Sequence, residues 1–579
     1  MKRHHMAAVA AFACTTLALA GCGGGSAASS SLDDCITDAA TCNSGQRADG
    51  GEITWAIDAG WSSWNQNTAD GNNAYVSVAL AGMWPYTGQF DQNGEFIVNE
   101  GLFAAEPELV SESPVTVEYT LKEGANWGDG TEISVDDFIY HWYARSGNED
   151  LCAGCTPANT TYGSQVASIE GDGGTVTVTY VESYHSAEWK FEEVLSLPSH
   201  IADEQGFDWR NDPADMAAAE AYFSETAPTW TTGPYKVADA AMGEYVIYEP
   251  NEDWAGDTEV TLDKLTFRVI EGLENIVTSL RNGEIDGASP FSATSEAISQ
   301  LETADGVSYS VAGGPNWEHI DLNTRNEFLS DIELRTAVFQ AIDLENIIDR
   351  TYAFVQSDIE RKNNHLFRNG SEYYQDFLTA TGQGTGDIEM AKATLEAADY
   401  TWDGDGNLLT PDGEEVELDF RYLETRESRK ITGELTAATL SDLGIQVELR
   451  AIPADGLGEV LAEGDFDMIN FGWSSDPLFV GSAAQYWNSE SGSNYGHLED
   501  PDLDALIEEI NGTLDMDEAA ARANEAVKRV IEDAYVLPIV DAPVMVMVSD
   551  RLVNVRDNWA SQQRAAYNIA EWGVADSEA

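Results

Sequence analysis

The side chains able to carry chemistry in this chain are mostly carboxylates, tryptophans, a few cysteines and a few histidines: 102 acidic residues, 16 Trp, six Cys and eight His among 579 residues. The stretch Gly464-Asp465-Phe466-Asp467-Met468-Ile469-Asn470-Phe471-Gly472-Trp473-Ser474-Ser475-Asp476-Pro477 concentrates the question. Its apolar run reads as a buried strand, and the Gly-Trp-Ser-Ser-Asp-Pro that follows reads as a loop. A strand that delivers Trp473 and Asp476 to its end suits a ligand pocket. A carboxylate can match a buried cation, and an indole offers a π-face to a cation or a sugar. The alternative places Trp473 in the core and makes Asp476 a turn cap before Pro477. A second such loop, Gly60-Trp61-Ser62-Ser63-Trp64-Asn65-Gln66-Asn67, offers Trp61 and Trp64 for stacking, with amides and hydroxyls for hydrogen bonding. Asn316, Trp317, Glu318 and His319 form a third candidate region, in which a lone His319 reads as a core residue.

Cys35/Cys42 and Cys152/Cys155 are two close pairs. Three connectivities are possible, and two local disulfide loops are the simplest outside the cytoplasm. Cys152-Ala-Gly-Cys155 also has zinc and redox spacing, but no paired histidine motif or thioredoxin-like context accompanies it. The chain contains neither a Gly-x-Ser-x-Gly elbow nor a His-Glu-x-x-His pair, and its histidines do not cluster. No catalytic residue, metal or cofactor is therefore expected. Asp403, Asp405, Asn407 and Glu414 fall at calcium-loop spacing, but Leu408 stands where that loop needs glycine, so an Asp-Gly hairpin turn is the better account.

Twenty-nine basic against 102 acidic residues give a net charge of −73. This excludes a nucleic-acid binder, which needs clustered Lys and Arg to meet phosphates. The acidic residues run along the whole chain, a pattern that suits solvation at high salt. Lys2, Arg3 and the apolar run 6–20 make a charged and then a hydrophobic region too short to span a membrane. They end at Leu19-Ala20-Gly21-Cys22, a bacterial lipoprotein processing box, which makes Cys22 the acylated first residue of a mature protein tethered outside the cytoplasmic membrane.

The elements that must position these residues alternate in type, and the remaining chain is long enough for two or three domains. A flexible polar linker is expected over 22–50. Strands are expected at 115–121, 176–180, 246–249, 265–270, 417–422, 446–451 and 536–548. Helices are expected from Ser134, over 275–281, as one long element over 333–352, over 388–398 and 428–443, and through most of 501–534. Arg335 and Asp343 stand at helix spacing and could pair.

Eight landmarks occur in a fixed order. They include Tyr119-Thr120-Leu121-Lys122-Glu123-Gly124-Ala125-Asn126-Trp127-Gly128-Asp129-Gly130, Ile133 to Phe138, Thr232-Gly233-Pro234-Tyr235-Lys236-Val237, Asn251 to Gly256, and Ser279 to Asp286. Leu334-Arg335 with Ala341-Ile342-Asp343, Leu443 to Val447, and Val536-Leu537-Pro538-Ile539 complete the series. Over residues 50–560 the chain resembles the family-5 extracellular solute-binding proteins, the peptide-binding lipoproteins of ABC importers. The resemblance implies an α/β fold: a two-lobed periplasmic-binding-protein-like clamp of type II with an extra inserted lid domain. Residues 51–75, 205–290 and 531–579 would form lobe 1, 76–204 the lid and 291–530 lobe 2, after a 1–21 signal peptide. Asp476 would take the place of the aspartate that captures a peptide's α-ammonium, and Trp473, Trp61, Trp64, Asn316 and Trp317 would line the cleft. Arg325 is the best candidate for a peptide carboxylate in a chain with few cations. The implied protein is a lipid-anchored monomer that hands oligopeptides to a membrane permease. An oligosaccharide or envelope-glycolipid binder of the same fold is the alternative, and an envelope enzyme a more distant one.

Overall fold

The computed structural model describes residues 31–36, 38–453, 456–475 and 477–576. The leader, Cys22 and Asp476 lie outside the described residues.

Ten strands, numbered in chain order, form one mixed sheet: β1 (Glu52–Ile57), β2 (Tyr235–Ala241), β3 (Tyr245–Pro250), β4 (Lys264–Val269), β5 (Gly287–Ala288), β6 (Val307–Leu322), β7 (Glu417–Leu423), β8 (Gln446–Ile452), β9 (Met468–Ser474) and β10 (Val536–Ser549). Their order is β8-β7-β9-β6-β10-β5-β1-β4-β3-β2. β1 lies parallel to both β4 and β5, as expected for strands returned by helices such as Leu273–Arg281. Gly287 is required in β5, because a Cβ there would stand 2.2 Å from the Trp55 ring.

β6 and β10 run antiparallel through both halves of the sheet, with register shifts between Gly313 and Trp317 and between Glu318 and His319. On one side of the first shift Val311 and Met545 pack with the helix that contains Ile276 and Val277. On the other side Trp317, Ile320, Leu537 and Ile539 belong to a separate core. Two apolar cores joined by two continuous strands make a clamp with a hinge at the shift.

A second, four-stranded antiparallel sheet orders Glu108–Glu112, Val115–Thr120, Thr175–Tyr180 and Val166–Asp172. Its Val117 and Val178 share one continuous core with Trp55 and Phe267 of the large sheet. Helix Val135–Arg145 begins at Ser134 with a capping box to Asp137.

Several local expectations change. The expected helix over 333–352 divides into Ile332–Ala341 and Leu344–Thr351, because the Asp343 side chain caps the second by accepting from Asn346 N. Arg335 therefore does not pair with Asp343; it donates to the carbonyls of Leu329, Ser330 and Asp533. The described part of the expected flexible linker is docked: Leu32 and Cys42 are buried, and Ala48 N donates to Val574 O. Disulfides join Cys35 to Cys42 and Cys152 to Cys155. Asp403 accepts from the backbone nitrogens of Asp405 and Asn407 in a hairpin turn, as the Asp-Gly reading expects.

Candidate functional site

A cavity of about 450 Å3 opens between the loop after β1, the segment 188–195, the C-terminal stretch 560–563 and Leu478 from the loop after β9. Its wall is rich in amides, among them Gln66, Asn67, Gln89, Asn159 and Gln563. Arg145 is the one cation among the described residues that line it, placed by the last turn of helix Val135–Arg145. The guanidinium is held by Asn67 Oδ1 at 3.1 Å, Asn159 Oδ1 at 2.6 Å and Asn159 O at 3.1 Å.

Three carboxylates line the same space: Glu188, Glu192 and Glu193. Glu188 crosses the cleft. Its Oε1 accepts from the backbone nitrogens of Phe479 at 2.7 Å and Val480 at 2.9 Å, at the N-terminus of helix Val480–Trp487. A carboxylate there meets free N–H groups and the positive end of the helix dipole. Ala187 beside it is buried in the second core, so this segment docks onto the other lobe. Glu192 accepts from Tyr184 Oη at 3.2 Å and Glu193 from Thr87 N at 2.9 Å. Burial pushes each of these two carboxyls up to about 7, against the pull of those hydrogen bonds and of Arg145.

Of the residues singled out from sequence, Asn316, Trp317 and Trp473 come together on β6 and β9, while Trp61, Trp64 and Arg325 lie elsewhere. Trp61 and Trp64 pack edge to face in the core that also holds Trp55 and Phe267, 6% and 2% exposed, so the loop after β1 turns its tryptophans inward and gives the cavity Gln66 and Asn67. β9 continues through Ser474, which pairs Trp473 with Trp317 and Ser474 with Asn316 on β6. The expected loop therefore starts three residues later than its glycine suggests. Trp473 is half-buried, stacked on Tyr495 at 5.6 Å and on Tyr486 at 4.8 Å. Trp317 is buried, and Asn316 Oδ1 accepts from Ser474 Oγ at 2.9 Å. His319 is buried with Nδ1 2.6 Å from Asp321 Oδ1. Arg325 is paired with Glu499 on the surface, 3.0 Å apart and 62% exposed, and does not line the cavity.

Sequence reasoning passed over Arg145, Glu192 and Glu193. In so acidic a chain a Glu-Glu pair carries no signal, and an arginine at a helix end has an ordinary role at the dipole. Among the described residues no helix is long and apolar enough to cross a membrane.

The comparisons with known proteins agree with this architecture. The family model of bacterial extracellular solute-binding proteins, family 5 Middle, matches residues 100–495. The oligopeptide-binding protein OppA of Mycobacterium tuberculosis is 27% identical over 514 residues, covering 87% of this chain and 82% of OppA. The structure of the periplasmic EDTA-binding protein EppA superposes with a TM-score of 0.83 at 30% identity, over 93% of this chain and 99% of that one. The oligopeptide-binding protein AppA of Bacillus subtilis, solved with a nonapeptide, shares the fold with a TM-score of 0.68 at 18% identity, over 92% of this chain and all of its own. The chain belongs to the family-5 bacterial extracellular solute-binding proteins.

Proposed function

We propose that this protein is the ligand-binding component of an ABC importer, anchored at the outer face of the cell membrane through Cys22, which captures oligopeptides between its lobes and delivers them to a permease. The observation that carries this reading is the composition of the cavity wall among the described residues: amides such as Gln66, Asn67 and Gln563 beside aromatic rings such as Tyr86 and Phe191, with three carboxylates against one arginine. Side-chain amides present both donors and acceptors, which suits the alternating N–H and C=O groups of a peptide. About 450 Å3 lies within the usual range for an enclosed ligand.

EppA is described by its binding of EDTA, a polycarboxylate. A polyanionic chelate needs clustered cations, and here Glu188, Glu192 and Glu193 would face it with Arg145 alone. The peptide reading is therefore favoured over a chelate. An oligosaccharide is a weaker reading, because Trp61, Trp64 and Trp317 are packed in cores rather than presented for stacking. Capture of the peptide's ammonium by Asp476 belongs to the same proposal, on the ground that Leu478, two positions further along the sequence, lines the cavity.

The test is thermal unfolding of the protein lacking residues 1–22, in molar salt, with tri- to hexapeptide pools, the same pools N-acetylated, oligosaccharide pools, and Fe(III)–EDTA. A ligand at about 100 times its dissociation constant stabilises by about 2.7 kcal/mol. Stabilisation by free peptides is expected. Stabilisation by the chelate or the sugars alone would overturn the proposal.

A further inference from the structure

Within the cavity, the wall built by Glu192 and Glu193 is chemically one-sided. The chain turns through Glu192 at φ −62° and ψ 134°, a polyproline-like conformation in which neighbouring side chains are not forced to opposite faces, and both carboxylates line the space. Near them are two deeply buried polar groups with unused capacity. Tyr162 and Gln563 are each 2% exposed, and neither Tyr162 Oη nor Gln563 Oε1 has a hydrogen-bond partner. Both residues line the cavity. Buried polar atoms are normally satisfied, so two orphans lining one cavity mark where a ligand's polar group belongs. Arg145 does not neutralise the pair by direct contact, because its hydrogen bonds go to Asn67 and Asn159.

We propose that this wall is a specificity subsite for a cationic side chain, the ammonium of a lysine or the guanidinium of an arginine, held by Glu192 and Glu193 with Gln563 Oε1 as an uncharged acceptor. The inference rests on the peptide reading above and adds to it the class of peptide. An ammonium or guanidinium has donors and no acceptor, which complements two carboxylates and a carbonyl. In a closed cavity such a bond is charge-assisted and poorly screened by salt, which matters for a protein of this surface charge. The carboxyls enter at neutral pH partly protonated, because burial raises both, and a bound cation draws them into the charged form. Binding of a basic peptide therefore releases protons. The groups that face the two carboxylates are Arg145 from its helix, Tyr184, Tyr119, Tyr162 and Tyr180 around Glu192, and Tyr86 beside Glu193, with tyrosines held well above neutral pH by burial.

The experiment is calorimetric titration with tetrapeptide pools that are identical except for one Lys, one norleucine or one Glu, in two buffers of different ionisation enthalpy at pH 7. The expected result is at least a tenfold preference for the Lys pool over the norleucine pool, with proton release for Lys only. In Glu192→Gln/Glu193→Gln the preference should fall to about twofold, and an unchanged far-ultraviolet circular dichroism spectrum with a cooperative melt shows that the variant is folded. If that variant does not fold, proton release by the unaltered protein decides the matter. Equal affinity for Lys and norleucine pools, or a Lys preference that survives both substitutions, overturns the subsite and leaves the peptide proposal standing. Failure of every pool to bind sinks both.

Discussion

Carboxylates meet opposite circumstances at the hinge and in the cavity. At the hinge, one carboxylate faces two cations: Asp541 Oδ1 is 3.0 Å from Lys362 Nζ and Oδ2 is 3.6 Å from Arg368 Nε. Arg368 also donates to Gly313 O at 2.6 Å and Gly314 O at 2.8 Å, where β6 shifts register, and lies over the Trp559 ring. Burial opposes ionisation of Asp541, but Lys362 and Arg368 outweigh it and hold the carboxyl below its ordinary range. In the cavity the same burial wins, and Glu192 and Glu193 are pushed up. A chain with 29 cations and 102 carboxylates places two of its cations, buried Lys362 and half-buried Arg368, on one hinge carboxylate and leaves the cavity wall short of them. The contrast separates a carboxylate matched by two cations within the chain from two cavity carboxylates whose hydrogen-bond donors, Tyr184 and the Thr87 backbone, are uncharged.

The largest effect should come from breaking the hinge pair. Asp541→Asn leaves Lys362, 1% exposed, without its carboxylate, and should cost about 3–5 kcal/mol in a denaturant titration. Restoring an apolar pair with Lys362→Met and Asp541→Leu together should recover much of that loss. The pH sign follows from the depressed carboxyl: the stability Asp541 contributes is present above its unfolded value, near 4, and is lost as pH falls through its lower folded value.

Next in size is the contact across the cleft. Glu188→Gln removes the charge at the N-terminus of helix Val480–Trp487. An N-terminal cap is worth about 0.5–2 kcal/mol, so peptide affinity measured by calorimetry should weaken by about 2- to 30-fold if this contact holds the closed form. Unchanged affinity would show that Glu188 serves the fold and not closure.

The cavity carboxylates should behave in the opposite sense to Asp541. Their folded values lie above the unfolded ones, so the native state holds extra protons between roughly pH 4.5 and 7, and ionising them destabilises the fold as pH rises through that window. Glu192→Gln should therefore raise the melting temperature at pH 8 by roughly 2–4 °C and leave it unchanged at pH 4. A loss at pH 8 would mean that the carboxylate is matched after all.

The smallest effect is expected at Arg325. Its ion pair with Glu499 is solvent-exposed, so Arg325→Ala should change stability by less than about 1 kcal/mol and leave peptide affinity untouched. Affinity loss would bring this arginine back as a carboxylate ligand.

Much of the frame was legible from local chemistry. Ser134 with Asp137 announced a capped helix, Asp403-Gly announced a hairpin, and the apolar run from Val536 announced the long strand β10. What misled was local as well. Gly472 looked like the end of a strand, yet cross-strand pairing carries β9 on to Ser474. Asp343 sat at helical spacing from Arg335 but serves as a cap, since a carboxylate beside free N–H groups is better used there than on a helix face. Trp61, Trp64 and Trp317 looked like binding surface because residue type says nothing of which way a loop or strand faces.

Composition and short-range pattern thus settled the class of protein: its strands and helices, the ordered landmarks of its family, and an acidity that excludes nucleic acid. These depend on neighbours within a few residues, where periodicity, capping and turn chemistry act. The tertiary structure alone decided which carboxylates are spent on lysine and arginine and which are not. Lys362 and Asp541 are 179 positions apart, and Arg145 and Gln563 reach one cavity from distant parts of the chain. Burial and charge pairing are properties of three-dimensional neighbourhoods, so identical Glu and Asp side chains acquire opposite proton affinities only once the chain has folded.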